Sequence, residues 1–242
     1  MDRRLSLKES ILLPLYDDLP CRRYPIFTRL IVLANVAVFF YEISLDKLPL
    51  QLQSLIAHYG LVPATLTNPA LRSKLAPEVF LTLLSFQFLH GGWIHIIGNM
   101  WYLWIFGDNV EDRLGSLRFL IFYLACGVIS GLVQLAMTPA SHLPIIGASG
   151  AIAGVLGAYL VSFPRARVKT LVPIFIFITF LDLPAIFVLG MWFVIQLLNG
   201  MLPVAGGIQT EGVAYWAHVG GFLAGILLLG LLLPSRGRAG YE

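Results

Sequence analysis

Four side chains in this 242-residue sequence are of types that do chemistry together: Ser149, His218, His95 and Asn99. A serine beside a histidine is a nucleophile, because the imidazole takes the hydroxyl proton as the oxygen attacks a carbonyl. A second histidine and an asparagine four residues apart share one helix face. Inside an apolar span both are costly polar groups, and so candidates for function. Each residue also has a plainer use: in apolar bundles serines pack helices, and histidine and asparagine bond across them. Which use applies depends on whether the chain brings the four together.

The elements that must position them are membrane helices. The sequence is 58% hydrophobic and 12% charged, with a mean hydropathy of +0.82, whereas soluble domains carry about 25% charged residues. A bilayer core takes about 20 apolar residues per helix. Runs 26–43, 93–110, 117–137, 149–163, 183–202 and 213–233 meet that need or approach it. The expected fold is therefore all-α, a polytopic membrane protein with six spans. It is bounded by an N-terminal segment (1–25) and a short tail (234–242), both cytoplasmic. Loop 44–92, with Pro49, Pro63, Pro69 and Pro77, reads as short helices in the outer interface. Stretch 171–182 is apolar but is broken by Asp182 and Pro184, and is expected at an interface or partly buried in protein. The acidic and proline residues before position 26 do not read as a signal peptide. Cys21 and Cys126 read as free thiols.

Charge fixes the orientation. With six spans and the N-terminus inside, 13 of the 16 Lys and Arg face the cytoplasm, leaving Lys47, Arg72 and Lys74 outside. The second, fourth and sixth spans then run inward. His95 and Asn99 in the second, Ser149 opening the fourth and His218 early in the sixth all fall in the outer half at similar depth. Residues 149–163 rise only about 22 Å, so Ser149 sits roughly 8 Å below the outer boundary. It also opens a helix, where free N–H groups favour negative charge. Gly150, Gly154 and Gly157 form one small-residue face and Gly221 and Gly225 another, which lets the fourth and sixth spans approach closely. The small net charge of +3 does not suggest nucleic acid. No His-Glu-x-x-His zinc motif occurs, no pair of carboxylates shares a span, and no metal or cofactor is expected. Internal repeats, which a transporter built on inverted halves would show, are not evident. Trp101, Trp104, Trp192 and Trp216 read as packing or anchoring residues, and His58 and His142 as loop histidines.

These residues resemble the rhomboid intramembrane serine proteases. The likeness rests on "HGGWIHIIGN", "GDNVEDRLG", "GASG" and "AHVGG", in that order, over about residues 29–233. It implies a six-helix rhomboid-like bundle in a bacterial plasma membrane. It implies Ser149 as nucleophile, His218 as general base, and His95 and Asn99 as oxyanion donors beside the Ser149 N–H. Transmembrane-helix proteins are the implied substrates and the lipid bilayer the implied partner; the sequence sets no oligomeric state. Glu111 and Arg113 match positions the family uses structurally; without the likeness they read as an interfacial ion pair. The span containing Phe187, Trp192 and Phe193 resembles the family's lateral gate. Many rhomboids stack an aromatic residue, four positions after the nucleophile, on the catalytic histidine; here that position is Ala153. A Ser–His dyad is expected, with Trp216 or Tyr159 as candidates for orienting the imidazole. The alternatives are a non-catalytic rhomboid-like chaperone that binds membrane helices, and a small transporter.

Overall fold

The computed structural model describes residues 12–75, 77–174, 177–206 and 213–233; the tail 234–242, with Arg236 and Arg238, lies outside them, as do Arg3, Arg4 and Lys8. The described chain opens with strand β1 (Leu13–Asp17) and helix α1 (Ile26–Ser44). Loop 44–92 folds into α2 (Pro49–Tyr59), α3 (Pro63–Thr67), α4 (Pro69–Leu75) and α5 (Glu78–Ser85), then a 3-10 turn at Phe86–Phe88. Three of these helices start on proline, whose missing N–H and fixed φ cost nothing at the first helical position. Then come α6 (Trp93–Leu114), α7 (Ser116–Met137), α8 (Ser149–Ser162), strands β2 (Arg167–Ile174) and β3 (Phe177–Pro184), α9 (Ala185–Gly206) and α10 (Tyr215–Leu232). The result is a polytopic helical bundle with a helix over each of the six apolar runs. Among the described residues α1, α7 and α10 are long and apolar enough to cross a membrane singly, and the stretches Ser149–Ser162 and Ala185–Met201 are shorter apolar helices. The stretch Glu78–Phe88 meets α6 at a bend of 80°, at the Gly91-Gly92 pair.

Within the apolar stretch, residues 171–174 and 177–182 lie in the antiparallel strands β2 and β3, a secondary structure the sequence did not announce, and the N-terminal segment contributes a third strand. The sheet order is β1-β2-β3, antiparallel throughout. Val168, Thr170, Val172, Ile178, Thr179 and Phe180 are β-branched or aromatic and favour a pleated surface, and Pro173 would break a helix here. Pro173 lies past Leu171, the last β2 residue paired with β1. The sheet carries topological information. Because β1 precedes α1 and β2 follows α8, their pairing puts both connections at one end of the bundle. At the other end Leu61 bridges Ile145, joining the α2–α3 and α7–α8 connections. Helices α1, α6, α7 and α8 therefore run alternately between the sheet end and the end that carries Ser149.

Two polar arrangements hold the sheet end. Glu111, buried in the last turns of α6, accepts the N–H groups of Phe27 (3.0 Å) and Thr28 (2.7 Å) and the Thr28 hydroxyl (2.8 Å). It thus satisfies free N–H groups at the start of α1, where the helix dipole also favours a carboxylate. Its carboxylate is not paired with Arg113 among the described residues, and Arg113 is exposed. The second arrangement is centred on Asp17. Its Oδ2 accepts from the Tyr159 hydroxyl and from Asn109 Nδ2 (3.0 Å), while Trp101 Nε1 donates to the Pro14 carbonyl (2.7 Å). β1 is thereby strapped to α6 and α8.

Burial pushes the Asp17 carboxyl above its ordinary value of 3.8, with the Tyr159 hydrogen bond opposing and the neighbouring Asp18 charge adding to the rise. A carboxyl raised on folding binds its proton more tightly in the folded state. Its contribution to stability is complete below pH 3.8 and is lost as pH climbs through the raised value. Asp17→Asn removes that titration. In detergent, the melting temperature of the variant relative to wild type is expected to rise from pH 4 towards about pH 7. A difference independent of pH would contradict this.

Candidate active site

The site begins with the crossing of α8 and α10. A Cβ added to Gly221 would overlap the Gly150 carbonyl, one on Gly225 the Gly154 carbonyl, and one on Gly157 the Phe222 carbonyl. Backbone thus packs on backbone, as the two glycine faces require. α7 closes the other flank, with Ser130 against Gly150 and Cys126 against Gly154.

That approach puts His218 Nε2 2.8 Å from Ser149 Oγ. Both residues are half-buried, so the pair sits below the surface without being sealed. Ser149 is the first residue of α8, and its N–H is among those that a helix leaves without an internal partner. The loop leading to it is held by pairing with distant backbone. Leu61 and Ile145 exchange hydrogen bonds (3.0 and 2.8 Å), Ala64 N–H donates to the Ser141 carbonyl (2.9 Å), and Gly147 N–H donates to the Phe86 carbonyl (2.9 Å). Gly147 has φ +124°, a conformation that side chains with a Cβ rarely adopt.

His95 and Asn99 reach this turn from α6. A Cβ on Gly147 would lie 2.7 Å from His95 Nε2 and 3.6 Å from Asn99 Nδ2, so both nitrogens face the backbone just ahead of Ser149. His95 Nδ1 accepts the Gly91 N–H (3.3 Å). In a neutral imidazole the proton is then on Nε2, and Nε2 is a donor. Asn99 is buried, and its Nδ2 has no hydrogen-bond partner among the described residues. A buried unpaired donor is costly, and its place beside a nucleophile suits it to an oxyanion. His90 stands behind His95, with ring centroids 5.1 Å apart, and its backbone N–H donates to the Glu42 carboxylate, 3.2 Å from both oxygens.

Neither candidate for orienting the imidazole does so. Tyr159 is engaged with Asp17 at the sheet end, and Trp216 packs over Gly200 of α9. The partner of His218 is a residue the sequence reading passed over: Gln196 on α9, whose Oε1 lies 2.8 Å from His218 Nδ1. The signal was available, since a glutamine within an apolar span is costly without a partner. Ala153 also has its explanation. It is fully buried, and a Cβ on Gly221 of α10 would lie 3.4 Å from its own Cβ, so the position packs at the α8–α10 crossing. Trp192 of α9 takes the place beside the imidazole instead, its ring 5.8 Å away and tilted 37°, with Tyr215 edge-on at 6.4 Å. Among the described residues no group of three or more His, Cys, Asp or Glu could hold a metal ion, and Cys21 and Cys126 are free thiols.

The Rhomboid domain family matches residues 77–235. The chain belongs to the rhomboid family. The human presenilin-associated rhomboid-like protein, mitochondrial, is 30% identical over 199 residues, which cover 81% of this chain and 45% of that protein. The Arabidopsis thaliana RHOMBOID-like protein 4 is 31% identical over 66% of this chain and 35% of its own length. RHOMBOID-like protein 5 of the same plant is 33% identical over 66% of this chain and 46% of its own length. The rhomboid chain described here thus spans less than half the length of these curated relatives. All the site residues named above from Phe86 onward fall inside the matched Rhomboid domain.

Proposed function

We propose that this rhomboid is an intramembrane serine endopeptidase that cleaves transmembrane segments of other membrane proteins through a Ser149–His218 dyad. The single observation that carries the reading is the 2.8 Å contact between Ser149 Oγ and His218 Nε2 at the start of a helix. His218 takes the serine proton as Oγ attacks the scissile carbonyl. The developing oxyanion is held by the Ser149 N–H, His95 Nε2 and Asn99 Nδ2, at about 3 kcal/mol of transition-state stabilisation for each well-placed donor. His218 returns the proton to the leaving amine. Water, deprotonated by the same imidazole, then releases the acyl group.

The substrate class is carried by the family likeness and is consistent with a dyad in the outer half of the membrane, where an unwound stretch of a membrane helix would present a carbonyl. The orientation in the wider reading, with both chain ends cytoplasmic and Ser149 in the outer half, rests on the Lys and Arg distribution rather than on the site. The plasma membrane as location rests on the family likeness alone. A rhomboid-like chaperone that only escorts helices would have no use for a hydrogen-bonded serine and histidine beside two free donors.

The test is covalent labelling. A serine-directed fluorophosphonate is expected to modify the purified protein in detergent on the peptide containing Ser149, and the Ser149→Ala variant is expected to take up none. Labelling elsewhere, or labelling that persists in Ser149→Ala, sinks the proposal.

A further inference from the structure

His218 has two ring nitrogens, and only one tautomer of the neutral ring is useful. For Nε2 to accept the Ser149 proton, the ring's own proton must sit on Nδ1. In serine triads a buried carboxylate enforces that state. In this chain the group at Nδ1 is an amide: Gln196 Oε1, 2.8 Å away, on a side chain that is only 8% exposed. An amide oxygen can only accept, so Nδ1 must donate, and the lone pair of Nε2 is turned to Ser149 Oγ. Among the described residues, the titratable groups that face His218 besides Ser149 are His95, across the site on α6, and Tyr215 on its own helix. Neither is hydrogen-bonded to Nδ1.

We propose that Gln196 is a positioning residue for the Ser149–His218 chemistry, fixing the tautomer and ring orientation of the general base in the role a triad gives to a carboxylate. The inference rests on the protease reading above. It carries a consequence for the order of events. Gln196 and Trp192 both belong to α9, and both hold the imidazole. Any outward motion of α9 that admits a substrate helix removes both supports at once. Acylation therefore requires α9 to be docked on α10, so substrate admission and chemistry are successive steps.

Labelling by a small fluorophosphonate separates the roles, because it needs an activated serine but no substrate helix. In the full chain, Gln196→Leu is expected to slow Ser149 labelling and to lower kcat for a transmembrane substrate, each by about 10²-fold, the low end of what a positioned general base supplies. KM is expected to stay within about twofold, since a loss confined to the transition state leaves it unchanged. Gln196→Glu retains an acceptor of the same size. It is expected to restore labelling and to move the acidic limb of the kcat/KM–pH profile to higher pH, because a carboxylate at Nδ1 favours the imidazolium. Thermal melts keep folding in view, and if Gln196→Leu fails to fold, the nearly isosteric Gln196→Glu decides alone. Normal labelling of a folded Gln196→Leu variant overturns the proposal, even if substrate cleavage falls, because Gln196 would then act on substrate access. An acidic limb left in place by Gln196→Glu overturns it too. Both outcomes leave the protease reading standing, whereas a wild-type protein unlabelled at Ser149 removes that reading and this one together.

Discussion

Ser149→Ala is expected to lower the cleavage of a transmembrane substrate by about 10⁴-fold or more, His218→Ala by a similar factor, and the double variant by no more than either. The argument is from the shared proton. Ser149 Oγ and His218 Nε2 are each other's hydrogen-bond partners at 2.8 Å, and neither does useful work alone. A hydroxyl without a base is a weak nucleophile, and an imidazole without the hydroxyl has no attacking atom to activate. Residues that act as one unit give non-additive losses. A double-mutant cycle in kcat/KM should therefore return a coupling nearly equal to either single loss. If the two effects multiplied instead, the residues would be contributing independently and the dyad mechanism would be wrong. Neither substitution should unfold the chain, because the crossing of α8 and α10 is set by glycines and does not depend on the pair.

How much of this was legible beforehand divides along a physical line. The helices were legible because a bilayer imposes a length and a polarity on each one, and those constraints are written residue by residue. The meeting of Ser149, His218, His95 and Asn99 was legible because the glycines of α8 and α10 permit a close approach and the alternating topology puts the four at one end of the bundle. The sheet was not. Strand β1 forms only because β2 and α6 are there to receive it, and the contacts of Asp17 with Tyr159 and Asn109 span 142 and 92 residues. Local pattern cannot report such pairing. Glu111 was misread without the family likeness for a related reason: a nearby arginine in sequence suggested an ion pair, while the free N–H groups of α1 lay 83 and 84 residues away. Gln196 is the instructive miss. Its polarity inside an apolar span was visible, but its meaning depended on which face of α9 turns to α10.

Gly225→Val is expected to abolish cleavage although position 225 lies about two helical turns from His218. A Cβ there would overlap the Gly154 carbonyl and stand 2.6 Å from the Gly154 Cα. Both are backbone atoms within a helix, so they cannot turn aside as a side chain can, and α10 must move away from α8. Overpacking of this kind costs about 3 kcal/mol or more where nothing can yield. The functional cost is steeper still. The Ser149–His218 hydrogen bond tolerates only a few tenths of an ångström before it weakens, and a misplacement of about 1 Å at a reacting pair can lower the rate by 10². Gly230→Val on the same helix supplies the comparison. Position 230 is exposed, and a Cβ there meets nothing within 4 Å, while the helix-propensity change from glycine to valine is favourable by a few tenths of a kcal/mol. Melting temperature and fluorophosphonate labelling measured side by side should show Gly225→Val destabilised and unlabelled, and Gly230→Val indistinguishable from wild type. Equal behaviour of the two variants would mean that the backbone contact between α8 and α10 does not set the distance between nucleophile and base.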